Sequence, residues 1–384
     1  MGVTGQAFIT PKVIRWARDR SRASRNKLAG RLHLKPEHIA SWEDGVSRPT
    51  LRQAQSLAHA LNIPFGYLFL SDPPTEAVPL PDFRTLPGAK EGTSPELMDT
   101  LNAVIAKQQW YRDFQVQESA EPIPFIGKFT YHDKAADVSS DIRKTLQLDD
   151  EMRKLCISTD DFLYKAVGLA EQVGILVMRT GVVNGNSHRP LSVDEFRGFA
   201  ISDNIAPVVF INGSDTRAAQ VFTLAHELAH LWIGESGISD LGLKETDQIE
   251  RFCNSVAAEV LAPAETFEQE WLRSRSIDDN LIALTRRYRV SSLVLLIRAQ
   301  YLHKISNDEF DKYYSREKKK FVDKEAKEGG GGNFYSNIKA RNGRILTYTV
   351  SAAALDGRVP YREAASLLNT TVPVVGRLLE KLAG

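Results

Sequence analysis

The sequence predicts a mainly α protein with one small sheet (α+β), and three observations predict it. Apolar residues recur at helical spacing through the N-terminal seventy residues and again through most of the second half of the chain. Three β-branched or aromatic runs bounded by turn residues, Gly174 to Met178, Phe196 to Ser202 and Ala206 to Ile211, read as strands. A length of 384 residues, 42% hydrophobic and 25% charged, suits two or three globular domains and excludes wholesale disorder. The longest aliphatic run, Leu293 to Ile297, falls far short of the roughly 18 to 20 residues of a bilayer span, so no membrane partner is expected. No basic stretch precedes an apolar core at the N-terminus, and the only cysteines are Cys156 and Cys253. Both features suit a reduced, cytoplasmic protein.

The first elements are four short helices. Val13, Ile14 and Ala17 mark one, and Leu28, Ala29 and Leu32 mark a second with Ser24 as its N-cap. Pro36 suits the first turn of a third, running to about Glu43 with Ile39 and Trp42 inward. Asp44-Gly45 ends it, Arg48-Pro49 forms a turn, and Leu51, Leu57, Ala58 and Leu61 mark the fourth. Residues 1 to 70 carry eleven Lys and Arg against four Asp and Glu, a net +7, which leaves −6 for the rest of the chain. A basic head on a mildly acidic body points to a polyanion partner for the head.

The stretch from Lys27 to Phe69 resembles the lambda-repressor/Cro-like (XRE) helix-turn-helix family in Leu28-Ala29, Ile39 to Gly45 and Arg48-Pro49. It departs at His33, where glycine is common, and at Lys35, where a small polar cap is usual. The resemblance implies that the third helix enters the major groove of double-stranded DNA. Lys35, Glu37, His38 and Ser41 are then the candidate base readers, and Arg25, Arg31 and Arg48 the candidate phosphate contacts. A protein-docking helix-turn-helix is the alternative.

Between Asp72 and Gly88 five prolines, Pro73, Pro74, Pro79, Pro81 and Pro87, forbid a continuing helix and read as a semi-rigid linker. Helices are expected from about Pro95 to Gln117 and from Thr159 to Val173, the second leading into the strands. After Asn212-Gly213, with Ser214 or Asp215 as cap, a helix contains Phe222 to Trp232. His226 and His230 lie four residues apart, so both imidazoles project from one face one turn apart, a spacing that holds one zinc ion. Glu227, beside the first histidine, is placed to take a proton from water as a general base. Such a site is zincin-like, and it needs a third protein ligand.

Glu235, Asp240, Glu250, Glu259 and Glu265 are the downstream carboxylates. With Phe252, Val256 and Val260 as the apolar side of a helix over 247 to 261, Glu259 lies at that side's edge, where an ionised carboxylate is costly unless paired or metal-bound. Glu250 points almost oppositely and reads as solvated or as a support for the ligands.

The combination of Phe222 to Trp232 with Arg251 to Pro263 resembles the ImmA/IrrE family of zinc-dependent endopeptidases, over roughly residues 160 to 265. That resemblance implies zinc held by His226, His230 and Glu259, with Glu227 as base. It also implies a protein substrate such as a transcriptional repressor or the product of a neighbouring gene, and a role in stress or mobile-element responses. A noncatalytic regulator or antitoxin that keeps the fold to bind a partner is the competing function.

The expected domains are 1–72 for the head, 73–94 for the linker, 95–270 for the metallopeptidase domain, 271–328 for a helical extension and 329–384 for a C-terminal helical module. Gly329 to Gly332 supplies the break before that module, read as a docking or homodimer element, and Lys318 to Lys320 a solvated face. The head's spacing of Ala29, Leu32, Leu34 and Ile39 returns as Thr285, Tyr288, Val290, Leu295 and as Ala365, Leu368, Thr370, Val375. Repeated helix-turn-helix packing and ordinary helical hairpins both fit that pattern.

Overall fold

A computed structural model describes residues 5–82, 93–239, 247–325 and 333–382. The expected linker residues 83–92 and the glycine break at 329–332 lie outside these, as does Asp240. The chain forms two compact units, Met1–Val78 with Thr93–Met98, and Pro79–Gly92 with Asp99–Gly384. Among the described residues no helix is long and apolar enough to cross a membrane. Both cysteines are buried and free.

The first unit contains α1 (Pro11–Arg20), α2 (Arg25–Leu32), α3 (Pro36–Glu43) and α4 (Leu51–Leu61), followed by a 3-10 turn at Phe65–Phe69. Ser24 caps α2 by accepting the Lys27 N–H at 3.2 Å, as its position in the sequence predicts. His33 takes φ 55°, so it fills the left-handed turn position that favours glycine. Lys35 makes no side-chain cap, and Pro36 starts α3 without needing one more N–H partner. Thr50 and Gln53 form a reciprocal capping box on α4. Ile14, Leu28, Ile39, Trp42, Leu57 and Leu61 interlock as the core. Glu43 is buried with them and receives Arg18 Nε at 2.5 Å and Arg25 Nε at 2.7 Å.

The second unit is mainly helical around one sheet. Its elements are α5 (Pro95–Gln117), which begins in the first unit's segment, α6 (Ala135–Thr145), α7 (Asp150–Lys154), α8 (Thr159–Gln172), β1 (Leu176–Thr180), β2 (Gly198–Ile201), β3 (Val208–Asn212), α9 (Arg217–Trp232), β4 (Gly237–Ser239) and α10 (Gln248–Leu261). The strand order is β1-β3-β2-β4, with β1 parallel to β3 and the other pairs antiparallel. Every residue of β3 is buried, which explains why it reads as an unbroken apolar run rather than an alternation. Phe199 and Phe210 face each other across β2 and β3 and stack at 4.7 Å on one face. The alternate residues Ala200, Val209 and Ile211 pack with Val221, Leu224, Ala225 and Leu228 of α9.

The chain continues through α11 (Ala264–Glu270), α12 (Ile277–Tyr288), α13 (Ser292–Tyr301), α14 (Asn307–Glu325), α15 (Phe334–Asn342), α16 (Arg344–Leu355), α17 (Tyr361–Leu367) and α18 (Val372–Leu382). Both tail segments that the sequence sets apart fall within the second unit. Leu281, Leu284, Tyr288 and Leu295 join the same core as α9. Glu171 accepts the Arg344 N–H at the start of α16, and Lys107 donates to Asn342 Oδ1 at 2.7 Å. The three copies of the spaced pattern share a turn: His33, Arg289 and Asn369, each four residues into its copy, all have positive φ, and α3, α13 and α18 each start three residues later.

Candidate metal centre and nucleic-acid face

Thr216, rather than Ser214 or Asp215, caps α9 by accepting the Ala219 N–H at 3.0 Å; Asp215 instead pairs with Arg197. The helix then carries His226, Glu227 and His230 inward, all fully buried. Their neighbour is α10, capped by Asp247, whose side chain accepts the N–H groups of Ile249 and Glu250. Glu250, in its first turn, reaches both imidazoles: Oε2 lies 3.1 Å from His226 Nε2 and Oε1 3.0 Å from His230 Nε2. The two Nε2 atoms are 3.1 Å apart. Among the described residues His226, His230 and Glu250 form the one cluster of this kind able to hold a metal ion.

Glu259, the expected third ligand, is not brought to the two imidazoles. It lies nine residues beyond Glu250 on the same helix, about 13 Å further along the axis. Its carboxylate pairs with the buried Arg298 and accepts the Ala264 N–H at 3.0 Å. Arg298 also donates to Ala262 O at 2.8 Å, and Arg153 donates to Val260 O at 2.8 Å, so two buried arginines close the C-terminal end of α10. A carboxylate at a core edge needs a partner, and here that partner is a guanidinium. Glu250, Cys253, Val256, Ala257 and Val260 form the inward face, whereas Phe252 is only partly buried. Glu250 enters with that buried face. Of the other candidates, Glu265 is exposed and Glu235 is half-buried.

Three supporting residues were not legible as such. Ser239 of β4 donates to Glu250 Oε1 at 3.3 Å. Asn254, one turn after Glu250, places Oδ1 2.9 Å from His226 Nδ1. Gly198 of β2 admits α9 closely: a Cβ there would lie 2.7 Å from Glu227 Oε1 and 2.6 Å from Thr223 Cγ2. Neither oxygen of Glu227 has a hydrogen bond of normal geometry. Burial pushes the Glu227 carboxyl up to about 8, helped by the charge of Glu250 and opposed by His226 and Ser239. Burial also works to raise Glu250, but the two histidines outweigh it and hold Glu250 well below the usual carboxylate range. Burial together with His226 lowers His230, against the pull of Glu250.

The donor set fits a divalent ion. Nitrogen and oxygen ligands about 2.0–2.1 Å from a tetrahedral zinc stand roughly 3.3 Å apart. The three observed separations, 3.0 to 3.1 Å, lie close to that value. Two imidazoles and one carboxylate are also the ligand types of catalytic zinc sites that keep a position open.

In the first unit, Lys35, Glu37 and His38 are exposed at the start of α3, and Ser41 is half-buried, bonded to Ser47 Oγ at 2.7 Å. Arg48 is exposed, with its guanidinium 4.1 Å from the centre of the Phe8 ring. Arg31 is exposed and donates to Ala60 O at 3.2 Å, whereas Arg25 is held by buried Glu43.

Comparison with known families matches residues 170–300 to the IrrE N-terminal-like domain of peptidase family M78. Residues 14–68 match the helix-turn-helix family. No curated protein matches the chain.

Proposed function

From a chain that joins a helix-turn-helix domain to an IrrE N-terminal-like peptidase domain, we propose a DNA-binding regulatory zinc endopeptidase that cuts a partner regulatory protein. The substrate class we favour is a transcriptional repressor or the product of a neighbouring gene. The observation that carries this reading is the convergence of His226 Nε2, His230 Nε2 and the Glu250 carboxylate within 3.1 Å of one another, with Glu227 on the next position of the same helix.

In this reading His226, His230 and Glu250 hold zinc, which supplies polarisation of a scissile carbonyl and acidification of water toward neutral pH. Glu227 accepts the proton released as water attacks and delivers it to the departing amine. Ser239 holds Glu250 in orientation, and the missing side chain of Gly198 leaves Glu227 its space. Exposed residues at the start of α3 meet base edges in double-stranded DNA, with Arg31 and Arg48 on phosphate.

A second reading, a noncatalytic regulator or antitoxin, is favoured by one observation: His226, Glu227, His230 and Glu250 are at most 1% exposed, so a peptide reaches them only after the site opens. One experiment separates the two. The zinc-loaded protein is incubated with proteins encoded beside its gene, and the native chain is compared with Glu227→Gln. Specific cleavage by the native chain alone supports the peptidase; no cleavage, with an unchanged cellular phenotype for Glu227→Gln, supports the scaffold.

A further inference from the structure

We propose that Asn254 is a positioning residue that selects the metal-binding tautomer of His226. The inference rests on the metal reading above and adds a residue that the ligand set does not include. His226 is fully buried, and its Nδ1 lies 2.9 Å from Asn254 Oδ1 while its Nε2 faces Glu250 and His230. A neutral imidazole carries one proton, on one nitrogen or the other. Only the form with the proton on Nδ1 leaves a lone pair on Nε2, the atom that points at the other two donors. An amide oxygen at 2.9 Å accepts that proton and stabilises this form.

The alternative tautomer has its own attraction in this site. With the proton on Nε2, His226 donates to Glu250 Oε2 at 3.1 Å and closes the cluster on itself. The Glu250 carboxylate is 1% exposed and sits within hydrogen-bond reach of that nitrogen, so it competes for the proton. The ring thus has two competing acceptors at its two ends, Asn254 and Glu250, and both come from α10, one turn apart. That spacing is how one helix supplies a ligand and the group that keeps another ligand ready for it: positions i and i+4 lie one above the other on a face. Asn254 itself is half-buried, with its Oδ1 against the fully buried His226 ring.

The consequence is specific to hydrogen bonding and separable from packing. Asn254→Leu keeps the volume and removes the acceptor, whereas Asn254→Asp keeps an acceptor at the same reach. Zinc affinity is measured by competition with a chromophoric chelator, and the His226 tautomer by nitrogen chemical shifts of the metal-free protein. Asn254→Leu is expected to weaken zinc by about 10- to 100-fold and to move the proton toward Nε2. Asn254→Asp is expected to retain native affinity and the Nδ1 proton. Equal affinities and unchanged shifts in Asn254→Leu overturn the proposal. So does an equal loss of zinc in both variants with the fold intact, since packing alone then explains the residue. If the native chain binds no zinc but the shifts follow the acceptor, the metal reading fails while Asn254 keeps its role on the ring.

Discussion

Exchanging either carboxylate of α10 for its amide should break a different property of the protein. Glu259→Gln leaves a side chain of the same shape, able to accept the Ala264 N–H, but removes the charge opposite Arg298. Arg298 is 1% exposed and Glu259 15%, so solvent does little to compensate the stranded guanidinium. Breaking a buried pair by neutralising one partner costs on the order of 3 kcal/mol. For a unit of about 300 residues, at about 2.1 cal/mol/K of unfolding entropy per residue, that corresponds to roughly 5 °C in Tm. Zinc content should stay at one ion per chain. Glu250→Gln should instead delete one of three ligands and abolish tight zinc binding. Differential scanning calorimetry on metal-free protein and metal analysis after dialysis read both effects. Loss of zinc with an intact Tm in Glu259→Gln would refute the assignment of ligands to the start of α10 and restore the end.

The remaining expectations concern the base, the head and pH. His226→Ala and His230→Ala should each lose zinc in the same dialysis assay, whereas Glu227→Gln should retain it; equal loss in all three contradicts a base that is not a ligand. Arg48→Ala should weaken DNA binding across sequences and flatten its salt dependence, while His38→Ala should relax base preference; a gel-shift series at several salt concentrations checks both. Burial pushes Glu171 up to about 7, against the N–H groups of Arg344 and Ile345 and the Arg344 charge. Its folded form therefore holds a proton that the unfolded chain has lost, and its contribution to stability falls as pH rises from about 4.5 through about 7. The span is on the order of 3 kcal/mol, and Glu171→Gln should flatten denaturant midpoints measured from pH 5 to 8; an unchanged slope rules out this carboxylate as its source.

How far the sequence carries depends on whether a feature is local. The bounds of α2 and α3 and the cap at Ser24 were legible because each is decided within a few residues, by a side-chain oxygen, a proline or an apolar repeat. The pair His226 and His230 was legible for the same reason, as one turn of one helix. Glu250 was not, because the choice between it and Glu259 depends on which face of α10 meets α9. The apolar residues suggested the side of Phe252, which is only partly buried, whereas Glu250 shares the buried face of Cys253 and Ala257.

The repeated spacing in the tail makes the same distinction from the other direction. Ala29, Thr285 and Ala365 each begin a pattern whose fifth residue, His33, Arg289 or Asn369, turns through positive φ before the next helix starts. The spacing therefore encodes a backbone turn, and it does so three times. It does not encode what the following helix meets. In α3 the residues after the turn are Lys35, Glu37 and His38, all exposed. In α13 the equivalent turn lies between Tyr288 and Val290, both buried in the core that also holds α9. A pattern of apolar positions specifies how two helices pack against each other; the polar residues between those positions, and the charge of the surface around them, determine whether the pair faces DNA or another part of the chain.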